Sequence, residues 1–315
     1  MSNAPFIHTD NNIAVMQLKL ITALVPCITY AVFSYGIRAL ILVVFCALLW
    51  FLSDLMTGAL MHTDNVQDLS PVSSGIIVAL LLPPGTSLYI AAAATLFGAI
   101  VMKALFGGPG ASFVHPAAAG RLFVELCFPM RTRGFAAVGE KLLYMRSLID
   151  TDVPEGMTPF DYPSFRPMEL AAGNYPTYIG TGCLVVILAG AAYLMVKKAV
   201  RLEAPLGFLV TVILGRLIID IQYDPYNTLV FVMTSGIAFS AFFLMSDVYT
   251  SVGRGVAAIV SGMVCGFVAV MVSLLGNDCL TMLVPVMVSG LISEFIRFAD
   301  VAGRHAPAKG GEDLA

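Results

Sequence analysis

The chain has 315 residues, 58% hydrophobic and only 12% charged, with a formal net charge of −3. Soluble domains carry about 25% charged residues, so this composition excludes an ordinary soluble globule and indicates an all-α integral membrane protein. The small net charge and the lack of a basic block give no footing for a nucleic-acid partner.

Residues Met1 to Asn12 are polar without a basic stretch, so the first hydrophobic run is expected to be a retained span, not a cleaved signal. A helical span needs about 20 apolar residues, fewer where a helix is broken inside protein. On that count about ten transmembrane helices are predicted. They run Met16–Tyr35, Ala39–Met61, Leu69–Leu82, Ser87–Phe106, Phe113–Met130, Tyr178–Val196, Leu206–Ile221, Thr228–Met245, Val256–Leu275 and Leu280–Phe298. The third and fifth are short and adjoin Pro83-Pro84-Gly85 and Gly107-Gly108-Pro109-Gly110, the pattern of broken helices that line an internal site.

Ser73-Ser74-Gly75-Ile76 in the third span matches Thr234-Ser235-Gly236-Ile237 in the eighth. A repeat with an odd number of spans gives two inverted five-helix repeats. The expected layout is residues 1–130 for the first repeat and 131–175 for an extracytoplasmic loop. Residues 176–298 form the second repeat and 299–315 a cytoplasmic tail. Positive charges favour the cytoplasmic side. With both termini cytoplasmic, that side holds Lys19, Lys103, Lys197, Lys198, Arg201, Arg254, Arg297, Arg304 and Lys309; the short outer loops hold only Arg38. The long outer loop carries Arg131, Arg133, Lys141, Arg146 and Arg166 against this trend.

Cys27, Cys46, Cys127, Cys183, Cys265 and Cys279 lie in or beside apolar runs without Cys-x-x-Cys spacing, so they read as small buried hydrophobes. No metal site built by this chain alone is expected. Arg216 and Asp220 are four apart on one helix, the spacing of an internal ion pair. Glu125 also falls inside a span, and Asp54, Asp247 and Glu294 are candidates for binding a translocated cation.

Two segments could carry chemistry. The run Phe106 to Ala117 combines three glycines with Pro109, giving irregular backbone whose amides can meet a ligand. His115-Pro116 would open the fifth helix, with Arg121 one turn in. In the polar loop, the Thr158 hydroxyl follows Glu155 by three residues and Asp152 by six, beside Gly156, an address for covalent attachment.

Gly107-Gly108-x-Gly110-x-x-Phe113-x-x-Pro116-Ala117, ending in Gly120-Arg121, resembles the glycine-rich signature of the RnfD/NqrB family. Ser73 to Pro84, Tyr178-Ile179-Gly180-Thr181-Gly182, and Ala241 to Asp247 with Thr250-Ser251 are similar to further family segments in the same order. The length resembles the RnfD type. The resemblance implies FMN joined through its phosphate to Thr158 by a flavin transferase. Asp152, Gly156 and Thr158 match the family's acceptor spacing, while Glu155 and Met157 depart from it. It also implies a second, non-covalent flavin (riboflavin or FMN) held by Gly107, Gly108, Gly110, Ser112, His115 and Arg121, with Asp247 and Thr250 nearby. His115 stands where the family commonly has asparagine.

The implied function is that of a membrane subunit of an Rnf-type electron transport complex in the cell inner or plasma membrane. Electron transfer between ferredoxin and NAD would be coupled to Na+ or H+ translocation. The implied partners are flavin- and iron–sulfur-containing subunits and membrane lipid. The chain would supply no catalytic residue of its own and no turnover alone. The alternatives are an NqrB-like subunit of a Na+-translocating NADH:quinone reductase, a urea-transporter-like channel, or a flavin-free scaffold.

Overall fold

The protein's structure, a computed structural model, describes residues 13–61, 69–106, 114–129, 131–132, 173, 175, 177–221, 225–246 and 255–305. Among these residues there are helices and turns and no strand. In chain order the helices are α1 (Ile13–Tyr35), α2 (Ile37–Met61), α3 (Ser70–Leu81), α4 (Leu88–Leu96), α5 (Pro116–Cys127) and α6 (Leu184–Val196). They continue as α7 (Glu203–Asp220), α8 (Pro225–Thr234), α9 (Ile237–Phe239), α10 (Val256–Ser273) and α11 (Asp278–His305). π-Helical turns Phe97–Ala104 and Ser240–Leu244 extend α4 and α9.

Four of these helices contain stretches long and apolar enough to cross a membrane: Ala14–Tyr35, Ile37–Leu60, Val256–Ser273 and Asp278–Ile296. The bent pair Tyr226–Thr234 and Ile237–Leu244 makes a fifth when counted as one span. The bundle's outward faces are apolar, with Phe33, Leu48, Ile218 and Phe267 all exposed. A water-soluble bundle would place polar side chains there.

Close contacts fix the direction of each helix. A Cβ on Gly182 would touch Tyr30, and one on Gly190 the Ala23 carbonyl, so α6 runs antiparallel to α1. The Gly255 amide donates to Glu203, joining the starts of α7 and α10. Arg38 binds the carbonyls of Gly85 and Thr86, tying the start of α2 to the turn before α4. The helices therefore alternate between a lower end, where α1 begins, and an upper end, where α2 begins. The turn Gly36 has φ 76°, a left-handed conformation that glycine adopts without a Cβ clash.

Close packing rests on missing side chains. A Cβ on Gly262 would lie 2.2 Å from the Ala204 carbonyl oxygen, and one on Gly207 2.7 Å from that of Ile259. The backbones of α7 and α10 thus touch, as small residues permit in membrane helix pairs. Gly120 does the same between α5 and α4, its Cβ position 2.2 Å from the Ala94 carbonyl oxygen.

Three features depart from the span boundaries expected from hydropathy. The sixth helix begins at Leu184, not Tyr178. Its first expected turn is irregular because its amides bond to α3: Ile179 N to Leu82 O at 3.0 Å and Gly180 N to Leu80 O at 2.7 Å. The eighth span is broken by a 59° bend at Ser235-Gly236, where Gly236 has φ 70°. Lys103 and Arg38 are not loop charges: both are buried and bonded within the bundle.

Candidate functional site

A buried strap, Thr177 to Gly182, with Tyr175 ahead of it, touches both broken helices. α3 is almost wholly buried and stops at Leu81, leaving four C-terminal carbonyls without helical partners. Each open oxygen from residue 79 to 82 has a donor. Leu82 N bonds Ala79 O, Gly180 N bonds Leu80 O and Ile179 N bonds Leu82 O. The remaining carbonyl, Leu81 O, accepts from Arg121 Nε at 3.0 Å. Backbone that leaves a helix at membrane depth is tolerated only where protein satisfies it in this way.

On its other side the strap meets the second break. The Tyr175 hydroxyl donates to Met233 O at 2.7 Å, a carbonyl whose helical amide partner is lost at the bend. A Cβ on Gly236 would lie 3.1 Å from the Thr181 methyl carbon. Hydroxyls hold the strap in place: Tyr30 donates to Gly173 O at 2.9 Å, and Thr177 and Thr181 share a bond at 2.9 Å.

Arg121 is fully buried, with its guanidinium 5.6 Å from the Tyr178 ring centroid. Its Nη2 lies 3.0 Å from Glu125 Oε2, one turn along α5. The Asn277 side-chain amide reaches Glu125 Oε1 at 3.5 Å, and Cys279, two residues further on, is buried. Among the described residues Arg121 Nη1 has no hydrogen-bond partner. Its neutralised charge and its unused N–H donors suit an electron-rich acceptor at the same level of the bundle.

His115 is also fully buried and caps α5: its Nδ1 accepts from Ala118 N at 3.4 Å, with Pro116 at the first helical position. An accepting Nδ1 leaves Nε2 to carry the proton of the neutral ring. His115 therefore takes the capping role beside any contact to a ligand. His115 and Arg121 are the predicted site residues within the described set. Gly107, Gly108, Gly110 and Ser112 lie outside it, as do Thr158 with Asp152, Glu155, Gly156 and Met157, and Asp247 with Thr250. Their flanks are described. The chain leaves the lower end at Phe106 after one π-helical turn and at Ser246 after the other. The described residues stop at the upper end at Thr132 and resume there at Gly173. π-Helical turns occur frequently at functional sites.

Two further ion pairs stand at opposite ends. At the lower end Lys103 Nζ lies 2.8 Å from Asp54 Oδ2 and 3.1 Å from Ser70 Oγ. At the upper end Arg216 Nη2 lies 3.5 Å from Asp220 Oδ1, as the spacing predicted. Arg216 also stacks 4.4 Å over Phe231, and Thr228 donates to Asp220 at 2.8 Å. Asp54 is therefore already paired with a protein cation. Glu294 lies partly buried in α11 and has protein partners of its own. Among the described residues no group of three or more histidine, cysteine or acidic side chains could hold a metal, and no disulfide joins any of the six cysteines.

Tyr178, Asn277 and Cys279 join this centre without having been singled out as site residues. Asn277 and Cys279 come from the start of α11, far along the chain from α5, and no local pattern links them. Tyr178 lay inside a motif read only as the start of a span.

The sequence profile of the NQR2, RnfD, RnfE family matches residues 1–299. The chain is 25% identical over 282 residues to the D subunit of the Na(+)-translocating ferredoxin:NAD(+) oxidoreductase complex of Acetobacterium woodii, covering 88% of this chain and 86% of that protein. It is 25% identical over 293 residues to the D subunit of the ion-translocating oxidoreductase complex of Alcanivorax borkumensis, covering 83% and 84%. The corresponding protein of Escherichia coli O127:H6 is 22% identical over 319 residues, covering 88% and 90%.

Proposed function

Because the chain belongs to the NQR2, RnfD, RnfE family, we propose that it is the D-type membrane subunit of an ion-translocating oxidoreductase complex, carrying electrons between two flavins. The observation that carries this reading is the match over residues 1–299, joined by relatives named as the D subunits of such complexes. The electrons would pass between ferredoxin and NAD, with Na+ or H+ as the moved ion. The partners would be the flavin- and iron–sulfur-containing subunits of the complex.

The fold reading is ten transmembrane helices in two inverted repeats. It is supported by the opposite directions of α3, which carries Ser73-Ser74-Gly75, and α8, whose end and following bend carry the matching Thr234-Ser235-Gly236. It is supported too by the aspartate near the end of each repeat's second helix, Asp54 below and Asp220 above, each paired with a basic side chain. The lower end is assigned to the cytoplasm because the turn from α6 to α7 carries Lys197, Lys198 and Arg201 there. Both termini are then cytoplasmic, and the loop around Thr158 faces outward.

FMN would be held covalently through its phosphate at Thr158, and a second flavin by the glycine-rich segment Gly107, Gly108, Gly110 and Ser112. His115, Arg121, Asp247 and Thr250 would lie beside the second flavin. Bound flavins supply one- and two-electron redox chemistry, which the protein tunes and positions. The unpartnered Nη1 of Arg121 fits an electron-rich acceptor. Glu125 balances the Arg121 charge, so that level of the interior stays neutral while the N–H donors remain directed. The apolar packing around Tyr178 and Cys279, both buried, keeps water out.

The test is in-gel fluorescence. The chain is expressed with a flavin transferase, denatured in SDS and viewed under ultraviolet light. A fluorescent band that disappears in Thr158→Ala is expected. A dark wild-type band at good expression removes the covalent flavin and leaves a scaffold subunit.

A further inference from the structure

Lys103 is an unusual lysine. It stands in the π-helical turn that ends α4, and its side chain is only 3% exposed. A buried ammonium is costly unless strongly bonded. Here it meets two oxygens from two other helices: Asp54 Oδ2 of α2 at 2.8 Å and Ser70 Oγ at the start of α3 at 3.1 Å. Behind these lies a second tier of oxygens. Ser73 Oγ donates to the Ser70 carbonyl at 3.0 Å and to Gln17 Oε1 at 2.6 Å, so the Ser70 side is fixed by α1 as well.

One carboxylate oxygen and one hydroxyl oxygen from separate helices thus meet at the buried ammonium, and oxygen donors of this kind are the ones that hard cations take. A lysine ammonium carries the single charge of a monovalent ion. We propose that Asp54 and Ser70, backed by Ser73 and Gln17, form a monovalent-cation site whose resident ion is the protein's own Lys103 ammonium. The tether keeps the site filled, neutralises Asp54 and closes this corner of the bundle to a free ion. The ion moved by the complex then takes a route that does not use Asp54. The site stands whether or not the chain holds flavins.

The test is thermal unfolding of the purified full chain in detergent, in chloride salts of sodium, potassium, ammonium and choline at equal ionic strength. Wild-type protein is expected to unfold at one temperature in all four. Lys103→Ala should unfold several degrees lower in choline and recover part of that loss with rising ammonium or sodium, as a bound ion stabilises by mass action. The double variant D54N with K103A should respond to none of the small cations. The proposal is overturned if Lys103→Ala behaves alike in choline and in the small cations, or if the wild type shows the same ion response. It is overturned if D54N with K103A keeps that response. It also fails if Lys103→Ala cannot be purified folded in any of the four salts, since a site that takes a free ion is rescued by one.

Discussion

The break after Leu81 and the break at Gly236 meet the same demand with different means. Both interrupt a helix inside the bundle and expose carbonyls away from water. The first is handled with charge. Arg121 takes Leu81 O, and Arg38 takes the Gly85 and Thr86 carbonyls at 3.0 and 3.2 Å in the turn that follows. The second is handled by a left-handed glycine and one phenol, Tyr175 on Met233 O. On both flanks of the second break helical bonding resumes, with Ser235 N on Phe231 O and Ser240 N on Gly236 O. A wide break that turns the chain back needs donors brought from elsewhere. A bend within one span needs only a permissive backbone.

Three substitutions probe that contrast. Arg121→Ala should have the largest effect, because it leaves Glu125 buried without its cation and Leu81 O without its donor. A loss of about 3–5 kcal/mol is expected, read by unfolding in SDS or by thermal denaturation. Combining Arg121→Met with Glu125→Gln should lose clearly less; an equal loss would show that the charge pair is not the reason. Arg38→Met keeps the side-chain bulk but removes two bonds from a charged donor, and should lose about 1.5–3 kcal/mol in the same assay. Gly236→Ala should cost the least, about 1–2 kcal/mol, for forcing an alanine into a left-handed conformation. The Ala methyl would also lie 2.7 Å from the Met282 sulfur, whose flexible chain can yield. If Gly236→Ala were the most damaging of the three, the division between a charged break and a permissive one would be wrong.

Hydropathy was enough to place helices along the chain, four or five of them long and apolar enough to cross a membrane, because a long apolar run has few other ways to satisfy its backbone in lipid. It also singled out the short third and fifth segments, which are α3 and α5 at 12 residues each. It misread Tyr178–Gly182 as helix because those residues are apolar enough, while the carbonyls of α3 that claim their amides lie far away in sequence. The triplet Thr234-Ser235-Gly236 was visible as a motif, but nothing local showed that its glycine adopts a positive φ. Arg216 and Asp220 were legible because four residues separate them on one helix. Asp54 and Lys103 were not, since their pairing depends on how α2 and the π-helical end of α4 meet. Within the candidate site, only His115 and Arg121 of the nominated residues are described. Arg121 is a joint between α3, α5 and the strap as well as a candidate ligand contact.

The strap also has a consequence for how the chain is made. The Leu80 and Leu82 carbonyls are bonded by Gly180 and Ile179, residues synthesised only after the whole first half and the long loop. Until then α3 would bring unsatisfied carbonyls into lipid, each at a cost of several kcal/mol. On the proposed ten-helix reading, insertion of α3 is thus tied to the arrival of Ile179 and Gly180. A ribosome-bound chain ending before Tyr178 should hold its third span in a sheltered or shallow position, and the span should settle to full depth once the strap has emerged.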